Sequence, residues 1–307
     1  MNGFINVLKP PGMTSHDVIY FLRRELGIKK IGHAGTLDPQ AAGVLPICIG
    51  QATRLVEHLN IKDKEYLCRM RLGVSSTTQD AWGSAIEYKD PTHITLTDIK
   101  NILPLFRGEI RQTVPMYSAV KMGGVPLYKL ARQGKTAEPI ERKVIINKLR
   151  LLEFYTPELT LLVECSKGTY IRTLCHDIGQ SLSTGGIMSF LLRTRVGSFD
   201  LQDSLTLEEV ARLKAAAILP MQNSILGMDG IVLTDDDLKL LRQGQRINFK
   251  NNYADQIKTV VSKDTTTEND RNLAILDHFG MIQALAILIT DANNTFSIKP
   301  KKVFNLE

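Results

Sequence analysis

A single carboxylate, Asp38, sits in the segment Gly32-His33-Ala34-Gly35-Thr36-Leu37-Asp38-Pro39-Gln40-Ala41-Ala42-Gly43. An Asp-Pro pair most often marks an Asx turn. Here the loop runs directly into Val44 to Ile49, an apolar stretch that reads as a short buried strand. Rigid strand ends are frequent places for catalytic groups. An ionised carboxylate held there can act as a nucleophile, or as an electrostatic partner for positive charge developing on a carbon. The four cysteines, Cys48, Cys68, Cys165 and Cys175, form no C-x-x-C pair and have no histidines at zinc-ligand spacing. They read as buried, reduced thiols rather than metal ligands.

The elements that must position Asp38 follow from residue patterning. Phe4 to Leu8 predicts a strand, followed by a Pro-Pro-Gly turn. A helix follows, capped by Thr14 or Ser15, with Val18, Ile19, Phe21, Leu22 and Leu26 as its apolar face. Lys29 to Gly43 reads as loop, and Gln51 to Leu59 as helical. Tyr66 to Leu72 alternates as a strand, with Tyr66, Cys68, Met70 and Leu72 on one face. Thr97 to Leu103 predicts a short helix, Val144 to Phe154 and Leu159 to Cys165 paired strands, and Thr169 to Leu182 a helix. Met188 to Phe199 reads as a strand and Leu205 to Leu213 as a helix. Residues 112–142 are Pro/Gly-punctuated and basic, which suits an extended, mobile insertion. After a linker near Pro220 to Met228 come a strand at Ile231 to Leu233, a helix over Asp235 to Leu241 and short β-like pieces, with a polar, acidic loop from Ser262 to Asn272. The division expected is 1–227 and a small, mainly β domain at 228–307.

The 307 residues are 43% hydrophobic and 23% charged, a globular composition. The net charge is +6. Residues 228–307 are nearly balanced, so the basic excess lies upstream, at Arg23-Arg24, Lys29-Lys30, Arg107 to Arg111, Lys129 to Lys135 and Arg142-Lys143. A basic surface suits a polyanion, because neutralised phosphates release counterions. No apolar run approaches the length of a membrane span and no signal peptide is visible, which predicts a cytoplasmic protein without membrane contact.

The Asp38 segment resembles the catalytic loop of the tRNA pseudouridine synthase B family, G-H-x-G-[TA]-L-D-P-x-A-[TS]-G-x-L-P, with Ala42 where Thr or Ser is usual. Further motifs run in the same order. Lys9-Pro10-Pro11-Gly12-Met13-Thr14-Ser15 is similar to K-P-x-G-x-[ST]-S, and Lys64-Glu65-Tyr66 to the motif with the active-site tyrosine. Ser166 through Leu174 resembles the motif bearing the family arginine, here Arg172. Leu191-Leu192-Arg193-Thr194-Arg195-Val196-Gly197 is similar to L-R-R-[TL]-x-[VS]-G. Thr77 to Gly83 matches loosely, with Thr77 and Trp82 where acidic residues are common. Leu233-Thr234-Asp235 through Gln245, with Ile298 to Phe304, is similar to a PUA-type RNA-binding module.

The resemblance implies an α+β pseudouridine-synthase fold: a large mixed, mainly antiparallel sheet flanked by helices, plus a small β-barrel-like domain. It implies isomerisation of the uridine at position 55 in the TΨC loop of tRNA, with no cofactor and no metal. Asp38 is then the catalytic nucleophile on a flipped-out base, and Arg172 its counter-ion, able to hold it bidentately. Tyr66 is placed against the uracil, where it helps remove the C5 proton. Substrate contacts are implied for His33, which fills the place of the extruded base, for Leu192 as an apolar wall, and for Lys9, Gly35, Thr36 and Tyr170. Lys121, Lys129 and Arg132, with Lys135, fall in an RNA-clamping insertion and would meet phosphates. The partner is the tRNA T-arm, with the acceptor stem reached through the C-terminal module, and the enzyme acts as a monomer. Alternatives are a tRNA-folding chaperone using the same surface, a guide-RNA-dependent synthase, and an unrelated hydrolase with an Asp nucleophile.

Overall fold

The computed structural model describes residues 1–56, 63–222, 228–249, 253, 255–256, 271–290 and 295–304. Strand β1 (Gly3–Lys9) leads into helix α1 (Ser15–Leu26). Thr14 and Asp17 close a capping box at the start of this helix, and Gly27 ends it in the left-handed conformation. The stretch expected as a loop contains β2 (Ile31–His33) before β3 (Ala42–Ile49). The helix expected over 51–59 begins as a 3-10 turn at Gly50–Arg54, and residues 57–59 lie outside the described residues. Then follow β4 (Asp63–Leu72), β5 (Val74–Ser76), β6 (Ala85–Tyr88), α2 (Leu96–Ile102) and β7 (Gly108–Thr113).

The insertion departs from the extended form expected of it. It folds into a hairpin of β8 (Lys121–Met122) and β9 (Val125–Pro126) and a helix α3 (Leu127–Arg132). Backbone bonds from Leu127 and Tyr128 to the carbonyls of Val120 and Ser118 hold these pieces together. Local hydrogen bonding has satisfied a segment too short of apolar residues to form its own core. Beyond it come β10 (Glu141–Tyr155), β11 (Glu158–Ser166), α4 (Ile171–Ser181), β12 (Gly186–Val196), β13 (Phe199–Asp200) and α5 (Leu207–Leu213).

Apart from the β5-β6 and β8-β9 pairs, these strands build a nine-stranded sheet whose main path runs β1-β3-β12-β4-β11-β10-β7. It is mixed and mainly antiparallel, since β3 and β12 run parallel. Alternation along β1 and β3 sorts their side chains to two faces. Ile5, Val7, Leu45, Ile47 and Ile49 pack with Val18, Ile19 and Leu22 of α1 and Val210 of α5. On β4, Tyr66, Cys68 and Met70 pack with Leu174, Cys175 and Ile178 of α4.

A second, five-stranded sheet has the order β14 (Gly230–Val232), β16 (Arg271–Leu276), β17 (Ile282–Thr290), β18 (Phe296–Val303), β15 (Ile247–Asn248), with α6 (Asp235–Arg242) beside it. Residues 223–227 of the expected linker and 262–270 of the expected acidic loop lie outside the described residues. This sheet is not free of the first. Ala274, Ile282, Leu285 and Phe304 share one apolar cluster with Phe4, Val44 and Cys48, the opposite face of β1 and β3. Arg54 donates to the Val303 carbonyl (2.6 Å) and stacks over the Phe304 ring, while Lys302 donates to the Arg54 carbonyl (2.9 Å). Among the described residues no helix is long and apolar enough to cross a membrane.

Phe304 is 1% exposed and closes this shared cluster. Phe304→Ala is expected to cost about 3–5 kcal/mol in urea unfolding, the usual penalty for a fully buried aromatic. A loss below about 1 kcal/mol would mean that the two sheets do not share a core.

Candidate active site

Between β2 and β3 the chain turns irregularly, and a buried turn must find partners for its peptide groups. Here the partners come from four separate places. Arg193 donates from Nη2 to the Gly35 carbonyl (3.0 Å) and from Nη1 to that of Thr36 (3.3 Å). The Leu37 N–H donates to Ser15 Oγ (3.0 Å), which donates in turn to the Leu37 carbonyl (3.2 Å). The Asp38 carbonyl accepts from the Ala41 N–H (3.1 Å). Pro39 accepts from Lys9 Nζ (3.0 Å) and from the Gly12 N–H (2.9 Å). Every carbonyl from Gly35 to Pro39 therefore has a donor, and the Asp38 side chain is left 43% exposed.

Arg172 enters from the first turn of α4 and is 5% exposed. Its Nε lies 2.9 Å from Asp38 Oδ2. Nη1 donates to the Thr78 carbonyl (3.1 Å) and lies 3.7 Å from Asp80 Oδ2, while Nη2 donates to the Tyr117 carbonyl (3.0 Å). The contact to Asp38 thus runs through Nε, and both Nη groups serve backbone carbonyls. That differs from the forked grip expected of this arginine, because the surrounding turns compete for the same donors. Asp80, which sequence reading did not single out, is held by the Thr78 hydroxyl and by the Trp82 N–H (3.1 Å). Its local pattern is that of an ordinary turn, so only the fold reveals it beside Arg172.

Tyr66 faces the same region from β4 and is 7% exposed. It pairs across the sheet with Arg193 of β12, and its hydroxyl accepts a hydrogen bond from that guanidinium. Burial pushes the phenol up to about 12 against the opposing pull of Arg193. Tyr66 is therefore neutral near pH 7. The register corrects the expectation for Leu192. Leu192 pairs with Leu67, one residue out of phase with Tyr66, and so lies on the opposite face of the sheet. Leu191, paired with Cys68 and buried in the cluster that holds Tyr66 and Leu37, occupies the place assigned to it.

Arg193 is fully buried, and its Nε donates to the Val44 carbonyl (2.8 Å). Sequence reading quoted it within a motif but gave it no role. The available signal was a charged residue at an inward position of an apolar strand. Gly43 is required beside it: a Cβ there would lie 2.2 Å from the Arg193 carbonyl oxygen.

Lys9 also departs from expectation. It is fully buried, and Nζ donates to the carbonyls of Pro10 (2.7 Å), Met13 (2.6 Å) and Pro39. An ammonium so committed supports the loop instead of meeting a ligand. Gly35 and Thr36 lie in the loop itself, their carbonyls taken by Arg193. Tyr170 precedes α4, its N–H and carbonyl both held by the Gln112 amide (3.0 and 3.2 Å). His33 is half-buried on β2, opposite Ile47, and burial lowers its pKa so that the ring is neutral. Its Nδ1 has no hydrogen-bond partner among the described residues. Lys121, Lys129 and Arg132 are exposed on the insertion, with Arg132 over the Tyr128 ring. The insertion reaches the site through the Tyr117 carbonyl.

Known proteins resemble this chain along its whole length. Residues 23–171 match the TruB family pseudouridylate synthase (N terminal domain), and residues 172–232 the tRNA pseudouridylate synthase B C-terminal domain. The border between the two falls at the start of α4, and β12 beyond it lies inside the first sheet, so it is not a border of the fold. A protein of Carboxydothermus hydrogenoformans named tRNA pseudouridine synthase B is 52% identical over 214 residues, covering 68% of this chain and 74% of that one. One of the same name from Clostridioides difficile is 39% identical over 317 aligned positions, covering 99% and 100%. Among solved structures, a Cbf5-Nop10-Gar1 complex contains a chain with TM-score 0.72 and 26% identity, over 99% of this chain and 85% of that one. An H/ACA RNP bound to a substrate RNA containing 2'-deoxyuridine contains one with TM-score 0.72 and 24% identity, at the same coverage.

Burial lowers the Lys9 pKa from 10.5 to about 8, with Asp38 opposing and Arg193 assisting. Between those values the unfolded chain holds a proton that the folded chain has released. This group therefore makes folding more favourable as pH rises through that window. Lys9→Met is expected to remove that rise from the stability-against-pH curve between about pH 8 and 10.5, measured by thermal unfolding. An unchanged slope would mean that Lys9 keeps the same pKa folded and unfolded.

Proposed function

The chain belongs to the TruB family of pseudouridylate synthases, and we propose that it converts the uridine at position 55 in the TΨC loop of tRNA to pseudouridine, with Asp38 as the catalytic nucleophile. The observation that carries this reading is the 2.9 Å Asp38–Arg172 ion pair on a loop whose backbone is fixed throughout. The reaction breaks the C1′–N1 bond, turns the uracil and joins C5 to C1′. The C5 proton leaves and N1 gains one, so the process is balanced without redox chemistry. A carboxylate at Asp38 can attack C1′ or C6 from the same place, and Arg172 balances its charge when the base shuts out water.

Tyr66, neutral and buried, offers a flat face to the uracil and a hydroxyl tied to Arg193. A role as base for the C5 proton would depend on the Arg193 charge to stabilise a phenolate. The target base leaves its stack to reach Asp38, at a cost of a few kcal/mol, and the neutral His33 ring suits the vacated place. Leu191 replaces Leu192 as the apolar wall. Lys121, Lys129 and Arg132 meet phosphates, which adds affinity more than specificity. Residues 1–227 form the catalytic part in this reading, while 228–307 contact the acceptor stem, and a monomer suffices. Relatives such as those of Carboxydothermus hydrogenoformans and Clostridioides difficile carry a tRNA name, which favours this reading over a guide-RNA-dependent synthase.

Unmodified tRNA transcript labelled with tritium at C5 of uridine tests the proposal. The wild type is expected to release tritium and Asp38→Asn to release none, while still binding the transcript. Equal release from both proteins would remove Asp38 from the chemistry, and binding without release by the wild type would favour an RNA-folding role. Arg172→Lys keeps a charge, but a single nitrogen cannot occupy the three separate positions from which Nε, Nη1 and Nη2 serve Asp38, Thr78 and Tyr117. Its kcat/KM should fall by roughly 30-fold or more, about 2 kcal/mol. A change under about threefold would mean that the forked shape of the guanidinium is not needed.

A further inference from the structure

Lys64 is a cation without a counter-ion. It lies on β4 two residues before Tyr66, so it shares the face of Tyr66, about 7 Å further along the strand. It is half-buried, and neither a hydrogen bond nor an ion pair engages it among the described residues. Asp63, its chain neighbour, has Oδ1 within 3.4 Å of the Asn147 amide. Asp38 is taken by Arg172. A Cβ placed on Gly35 would lie 3.6 Å from Lys64 Cε and 3.7 Å from Arg193 Nη1, so the space left by that glycine is rimmed by two cations. Gly35 has φ +99, which holds that space open. Burial lowers the Lys64 pKa, Arg193 and Lys167 lower it further, and Cys165 and Asp63 oppose them.

Holding an unpaired, half-buried ammonium beside a buried guanidinium is unfavourable in the free protein. A ligand that brings negative charge removes that cost. We propose that Lys64, with Arg193 behind it, forms a subsite for a backbone phosphate flanking the target uridine, next to Gly35 of the Asp38 loop. This rests on the uridine-isomerising reading above. The placement suits a nucleotide. With the base against Tyr66 and C1′ at Asp38, the sugar carries the adjoining phosphate away from the base, toward the next inward position of β4. The subsite then does more than add affinity, because it sets where C1′ comes to rest.

Stem-loop RNAs carrying the target uridine can be made with the phosphate on its 5′ or its 3′ side replaced by a neutral methylphosphonate. Single-turnover kcat/KM is measured for wild type and Lys64→Met on each. On the native RNA, Lys64→Met should lose about tenfold or more, as for one charge-assisted hydrogen bond. One of the two neutralised RNAs should cost the wild type a similar factor and cost Lys64→Met nothing further. The Tm of Lys64→Met should not fall, because an uncompensated charge has been removed. Losses that simply multiply, no loss from either neutralised phosphate, or a normal Lys64→Met would overturn the subsite. So would a lowered Tm with equal losses on native and neutralised RNA, which would make Lys64 structural. Absence of wild-type turnover on the native RNA would instead overturn the uridine reading, and the subsite with it.

Discussion

Arg193 and Lys9 are buried cations that spend most of their donors on backbone carbonyls, and the position of Asp38 depends on them. A buried charge is expensive, and an unpaired buried carbonyl is expensive too. Here each cost offsets the other. The loop cannot relax without stranding a cation, and the cations cannot leave without stranding the loop. Ser15 adds the remaining restraint at Leu37, from the first residue of α1. The segment Lys9 to Ser15 and the segment Gly35 to Pro39 thus form one folded unit, although they are far apart in the chain.

The two buried arginines divide the work. Arg193 holds the backbone under Asp38 and touches the hydroxyl of Tyr66. Arg172 holds the carboxylate itself, and its remaining nitrogens reach Thr78 and Tyr117. The root of the insertion and the Asp80 turn therefore meet on the same guanidinium as the Asp38 carboxylate. A displacement of the insertion by a ligand would be felt at Asp38 through one side chain, without any relay of smaller contacts.

Much of this was legible in the sequence. The alternation of Tyr66, Cys68, Met70 and Leu72 placed them on one buried face, and Thr14 marked the start of α1. The motif order brought Asp38, Tyr66 and Arg172 into view together. What stayed hidden was phase and partnership. Leu191 and Leu192 are equally apolar, and only pairing with Cys68 or Leu67 tells which faces the site. Lys9 in a motif looks like a ligand-binding lysine until three carbonyls surround it. Arg193 and Asp80 sit among residues of similar type, and their roles arise from neighbours far away in the chain, Thr36 for the one and Arg172 for the other. Short β2 escaped notice because three residues leave too little periodicity to detect.

Phe4 and Phe304 belong to one apolar cluster, so the face of β1 and β3 opposite the helices is completed by residues made long after those strands. Synthesis proceeds from the N-terminus. Until β16, β17 and Phe304 emerge, Val44 and Cys48, on the strand that anchors the Asp38 loop, present an apolar surface to water. The C-terminal sheet thereby serves as a seal on the first sheet. A chain that has made β3 but not yet β16 is bare on that side, and holding that surface apart from other chains is a task the folded molecule no longer has.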